Sequence, residues 1–196
     1  LGLLWIIPWM IFNKNVPSKH PWITDEERKY IVEGQHKQEQ SNPNSKALSI
    51  RQILSFKEAW SVLISRFFLE PIWWLFVGWM PIYLADVYGF DVKQIGLFAW
   101  VPYVGAAIGS IAGGGFSGKM IANGASINKA RKTAILIGGI IMFVGLLATI
   151  LYADTALKFV LIVAFVLFGF QFTIGNIQTL PSDLFYGKSV GSLAGL

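Results

Sequence analysis

The chain has 196 residues, of which 54% are hydrophobic and only 14% charged, with a mean hydropathy of +0.55. Soluble domains carry about 25% charged residues, so this composition excludes an ordinary soluble domain and points to a membrane protein. The lack of cysteine excludes disulfides and thiolate metal sites, and the net charge of +5 gathers in alternate loops, which fits membrane topology better than nucleic-acid binding.

Residues 1–12, LGLLWIIPWMIF, are apolar, with no initiator Met and no basic n-region, and predict the tail of a first helix and not a signal peptide. Together with the closing run SVGSLAGL, which predicts the start of another helix, they lead us to expect an internal piece of a longer membrane protein. Residues 13–58 are polar, with 8 Lys/Arg and 6 acids. Thr24-Asp25-Glu26-Glu27 reads as a capping box opening a helix over 24–40, ended by Ser41-Asn42-Pro43-Asn44-Ser45. Ser49 is positioned to cap a short amphipathic helix with Ile50, Ile53 and Leu54 on its apolar side.

Ser61 to Leu84, SVLISRFFLEPIWWLFVGWMPIYL, is long enough to span a bilayer, which takes about 20 mostly apolar residues. It carries Arg66 and Glu70 one turn apart, and Arg66, Glu70, Trp74 and Pro81 share one helical face. Charge inside a spanning helix usually faces a bundle interior or a wet cavity, although a neutral pair near the membrane edge gives the same sequence. The full helices are predicted near 60–84, 94–118, 133–153 and 159–182, with a partial helix from 189. Gly105, Gly109 and Gly113 recur every four residues and form a face that lets another helix approach closely. The loops over 13–58 and 119–132 carry 8 and 4 basic residues, while the turns over 85–93 and 152–158 carry one each. Basic loops stay in the cytoplasm, so 13–58, 119–132 and 183–188 are expected inside.

Gly113 to Lys119, GGGFSGK, fits the start of a nucleotide-binding loop, but Met120 stands where Ser or Thr holds magnesium, and the run ends a membrane helix instead of following a strand. His20 and His36, the only histidines, fall in the polar loop and are expected to be solvated. Neither a metal site nor a cofactor is expected, and an enzyme would need intramembrane acids or a metal set beyond Arg66 and Glu70.

Several segments then carry a family likeness. RFFLEPIWWLFVGWMPIYL resembles helix 7 of the anion:cation symporter branch of the major facilitator superfamily, and within it the hexuronate (glucuronate or galacturonate) transporters. Ala99-Trp100-Val101-Pro102-Tyr103 is similar to the aromatic-Pro segment of helix 8. GGGFSGKMIANGASINKARK resembles the glycine-and-basic loop between helices 8 and 9, and IQTLPSDLFYGKSVGSLAGL the junction of helices 10 and 11. Glu70 and Met80 depart from the Asp and Leu more common in that branch.

The resemblance implies an all-α integral membrane fold comprising the end of helix 6 (1–12), the central cytoplasmic loop (13–58) and most of the C-terminal half (59–196). It implies proton-coupled symport of an organic anion, most simply a hexuronate, across a bacterial inner membrane. The partners are then the anion, the proton, the bilayer and the N-terminal half of the same chain, with no nucleic acid. An aldonate or another sugar acid as substrate, or a membrane sensor that no longer transports, stays open. Sugar-acid binding needs aromatic faces and amides at mid-membrane depth, which makes Trp73, Trp74, Trp100, Tyr103, Gln171 and Asn176 the substrate candidates. Gln171, Gly175 and Gln178 share one helical face, with Thr173 and Asn176 on another. Arg66 and Glu70 are candidates for gating or proton coupling, since protonation of Glu70 would loosen its hold on Arg66.

Overall fold

The computed structural model describes residues 6–13, 22–29, 31, 33, 48–185 and 188–195, in which every regular element is helical. The second half of the helix expected over 24–40, the Ser41–Ser45 break and both histidines lie outside the described residues. Residues 1–46 and 47–196 form two compact units.

The first unit contains helix α1 (Ile6–Phe12) and a helical stretch over 25–29. The capping box is present. Glu27 Oε2 accepts from the Thr24 amide at 2.9 Å, and Thr24 Oγ1 accepts from the Glu27 amide at 3.2 Å. Those bonds favour the ionised carboxylate and hold its pKa below the ordinary 4.5.

The second unit opens with a single turn, α2 (Ile50–Ile53), capped by a reciprocal Ser49–Gln52 box. Of its three predicted apolar residues only Ile53 is buried, beside Ala59, Phe185 and Leu193; Ile50 is exposed and Leu54 half-buried. Helix α3 (Lys57–Tyr88) follows, longer at both ends than the expected 60–84. At roughly 1.5 Å per residue its 32 residues span about 48 Å, more than the hydrocarbon core of about 30 Å. Pro71 and Pro81 deprive the Phe67 and Val77 carbonyls of their usual donors, yet the helix continues through both. Gly89 ends it with a left-handed φ of 67°.

The sequence predicts one helix over 94–118. The structure has two, α4 (Val92–Phe98) and α5 (Val101–Ala122). Pro102 explains the break, because it has no N–H to offer the Phe98 carbonyl. The Trp100 carbonyl accepts from both Tyr103 and Val104, at 3.1 and 3.3 Å. The remaining elements are α6 (Ile127–Tyr152), α7 (Ala156–Gln178), α8 (Leu180–Leu184) and α9 (Lys188–Ala194). Among the described residues four spans, 57–88, 92–122, 127–152 and 156–184, are long and apolar enough to cross a membrane.

Helix α7 is the axis of packing, with twelve of its 23 residues buried. On one side the predicted glycine face of α5 lies against it. A Cβ built on Gly105 or Gly109 overlaps the carbonyl of Ala164 or Phe168, and one on Gly113 comes within 2.6 Å of the Phe172 oxygen. On the other side Gly138 of α6 and Gly169 of α7 form a second close approach, where a Cβ on Gly138 would lie 2.9 Å from the Gly169 oxygen. Helices in lipid gain little from burying apolar surface, so such backbone contact supplies the dispersion and weak polar attraction that hold them together. Helix α3 packs differently, through side chains. Phe76, Met80 and Leu84 join Phe159, Val163 and Leu167 of α7 in one core.

Candidate functional site

Three of the four residues on the predicted face of α3 line one cavity. Arg66, Glu70 and Trp74 border a space of about 640 Å3 between α3 and the end of α9, with Trp60, Phe67 and Pro71. Pro81 lies outside it. The ion pair is loose: Arg66 Nη2 is 3.7 Å from Glu70 Oε1, and both side chains keep about a third of their exposure. Arg66 Nη1 also donates to the Ala194 carbonyl at 3.0 Å, so the guanidinium links α3 to α9. A partly solvated pair of this length is worth about 0–1 kcal/mol, too little to make it a structural necessity. Trp74 is 66% exposed.

The other aromatic candidates lie elsewhere. Trp73 turns away from Trp74, stacks on Phe170 of α7 at 5.7 Å between ring centroids, and meets the Tyr103 edge of α5 at 6.0 Å. It ties three helices together near mid-span. Tyr103 is partly exposed. Trp100 sits in the α4–α5 break, where its indole N–H donates to the Leu97 carbonyl at 2.8 Å, and its ring is 57% exposed.

Helix α7 has two polar faces, as the spacing predicts, and they differ sharply in environment. Gln171 is half-buried and its amide has no hydrogen bond among the described residues; Gln178 is exposed, and Gly175 between them opens onto free space. Thr173 and Asn176 are buried. Asn176 Nδ2 donates to the carbonyls of Gly113 and Phe172, at 3.1 and 2.9 Å.

Asn176 belongs to a network that sequence reasoning missed. Arg131, at the start of α6, donates from Nε to Asp183 of α8 at 2.9 Å and from Nη1 to Ser117 of α5 at 3.0 Å and Asn176 of α7 at 3.2 Å. The Arg131 and Asp183 side chains are 16% and 19% exposed. One guanidinium on α6 thus satisfies groups on three other helices at the basic end of the bundle. The available signal was a pair of opposite charges, each at the boundary of a spanning segment, with a lone Asn one or two turns deeper. Among the described residues no group of His, Asp or Glu is arranged to hold a metal.

The Major Facilitator Superfamily profile matches residues 1–196. Over the whole chain, the sequence is 33% identical to a hexuronate transporter of Escherichia coli K12, of which it covers 45%. It is 35% identical over 72% of its length to a galacturonate transporter of Dickeya chrysanthemi, covering 41% of that protein. A probable galactarate/D-glucarate transporter of Escherichia coli K12 is 30% identical over 86% of the chain, with 39% of that relative covered. The chain therefore spans less than half the length of these curated relatives, all of them transporters. With a profile match from end to end, four helices able to span a bilayer and no strand among the described residues, the chain belongs to the Major Facilitator Superfamily, as a multi-pass integral membrane protein.

Proposed function

We propose that the chain is most of the C-terminal half of a secondary transporter that takes up a hexuronate with a proton across a bacterial inner membrane. The observation that carries this reading is the match of the whole chain, at 33% identity, to a protein named as a hexuronate transporter. In this reading residues 1–12 end helix 6, 13–58 are the central cytoplasmic loop, 59–196 begin the second half, and the basic end of the bundle faces the cytoplasm. The substrate lies between this half and the N-terminal half of the same chain.

Roles for the candidates follow from their surroundings. Gln171 contacts substrate hydroxyls, because its half-buried amide is unspent and it lies one turn from Gly175, where a Cβ would meet nothing within 4 Å. Trp74 and Tyr103 offer exposed aromatic surface to the sugar ring, and Trp73 backs Tyr103. Trp100 anchors the helix break, and Asn176 positions helices instead of binding substrate. Arg66 and Glu70 act as a gate, since a weak pair bordering a cavity separates at little cost.

The test is uptake by the full-length transporter in proteoliposomes. Labelled galacturonate or glucuronate should accumulate when an inward proton gradient is imposed and stop when it is collapsed. Glu70→Gln should impair gradient-driven uptake more than counterflow. Accumulation of galactarate alone would move the substrate assignment to sugar diacids, which the third relative's name favours. Uptake insensitive to the gradient would remove the symport assignment.

A further inference from the structure

The basic end of the bundle holds a second cavity, of about 710 Å3, between the start of α3 and the start of α6. Its rim carries Lys57, Asn128 and Lys132, with the Arg131–Asp183 pair at its side. That pair is internally neutral. Lys57 and Lys132 form no ion pair among the described residues, and the remaining acid, Glu58, leaves the rim with an excess of one positive charge. The hydroxyls of Ser61 and Ser65 are spent on the Glu58 and Ser61 carbonyls, at 2.7 and 2.6 Å. The first amides of α3 have no side-chain cap. Unpaired ammonium groups on two helices and uncapped amides on one of them suit a single anion. The cavity is otherwise lined by the aliphatic side chains of Ile127, Ile135, Leu180 and Leu184.

We propose that this groove binds the phosphodiester headgroup of an anionic phospholipid, with Lys57 and Lys132 closing on the phosphate and the four aliphatic residues receiving the glycerol and the upper acyl chain. The inference rests on the cytoplasmic orientation of the basic end stated above, which puts the rim at the depth of the inner-leaflet phosphates. A soluble anion has no use for the aliphatic wall, whereas a phospholipid uses both parts. The lipid also supplies a connection not found among the described residues. At the opposite end the Tyr88 hydroxyl donates to the Ala153 carbonyl at 2.5 Å and joins α3 to the end of α6. At the basic end no hydrogen bond or ion pair among the described residues joins these two helices, and the bound phosphate bridges them.

The experiment uses the full-length transporter, purified and examined by native mass spectrometry and by thermal unfolding in nanodiscs of phosphatidylcholine with and without phosphatidylglycerol, without substrate. Phosphatidylglycerol should be retained and should raise the unfolding midpoint. Lys57→Gln with Lys132→Gln should reduce retention roughly tenfold and abolish the midpoint shift, while Lys57→Arg with Lys132→Arg should keep both. Retention and shift unchanged in the double Gln variant would overturn the proposal. So would a shift reproduced by inorganic phosphate or glycerol 3-phosphate in pure phosphatidylcholine, which would make the ligand a soluble anion. Labelling of Asn123→Cys from each side reads the orientation separately from any transport assay, and labelling from the outside alone would also overturn it.

Discussion

Helices α5, α6 and α7 and helix α3 cross the same thickness of membrane but are attached by different means. The first three touch backbone to backbone at Gly105, Gly109, Gly113, Gly138 and Gly169, and share the Arg131 network at one end. Helix α3 buries five of its 32 residues, against twelve of 23 in α7, and is attached through rings and aliphatic side chains. A glycine contact tolerates almost no displacement, because a Cβ's worth of space is already used. A side-chain contact can shift by exchange of rotamers. The fixed block therefore serves as a frame, and the candidate gate and the exposed Trp74 sit on the helix with more freedom.

The largest effect should come from breaking the frame. Gly109→Leu drives a side chain into the Phe168 carbonyl and should cost about 3 kcal/mol or more, seen as loss of monodisperse protein after extraction. Gly114→Ala, one turn on, meets nothing within 4 Å and should leave folded yield unchanged or slightly raised. Equal behaviour of the two would remove the distinction between seam and surface. Arg131→Met should follow, at about 3 kcal/mol, because Asp183, Asn176 and Ser117 lose a shared donor. Arg131→Met with Asp183→Leu should recover part of that loss in a thermal unfolding assay. Next, Trp73→Ala should lower stability by about 2 kcal/mol through its Phe170 and Tyr103 contacts, while Trp74→Ala should change it by less than about 0.5 kcal/mol.

The smallest effect lies in the other unit. The Glu27 pKa is held down by its bonds to Thr24, so the capping box is fully formed above 4.5 and is lost as pH falls through the lower folded value. Helicity of a peptide covering 22–33, followed by circular dichroism from neutral pH to about 3, should drop in the acid range. Thr24→Ala should remove that dependence.

Much of this was legible because it rests on local pattern. The charge-free runs and the Gly105–Gly109–Gly113 spacing follow from period and composition, and the Thr24–Glu27 capping box and the Ser49 cap are each set within three residues. The α4–α5 break was signalled by Pro102 and was overlooked because the run remains apolar through it. The second seam was harder to see, since Gly138 and Gly169 are isolated on different helices and only their packing brings them together. The Arg131 network has the same character, joining positions 117, 131, 176 and 183 from four elements. Trp73 and Trp74 look equivalent in sequence, yet a turn of about 100° sends one into the core and the other into the open. For Gln171 and Asn176 the opposite holds, since the five-residue separation already put them on different faces.

That separation permits the most direct test, with Gln171→Ala and Asn176→Ala compared in the full-length transporter. Galacturonate counterflow in proteoliposomes is measured beside folded yield for each. The open face of α7 is assigned to substrate and the buried face to the frame. Gln171→Ala should therefore fold as the parent does and lose about tenfold or more of its counterflow, while Asn176→Ala should lose folded protein. Parental counterflow in Gln171→Ala, together with parental folding in Asn176→Ala, would contradict the assignment of both faces.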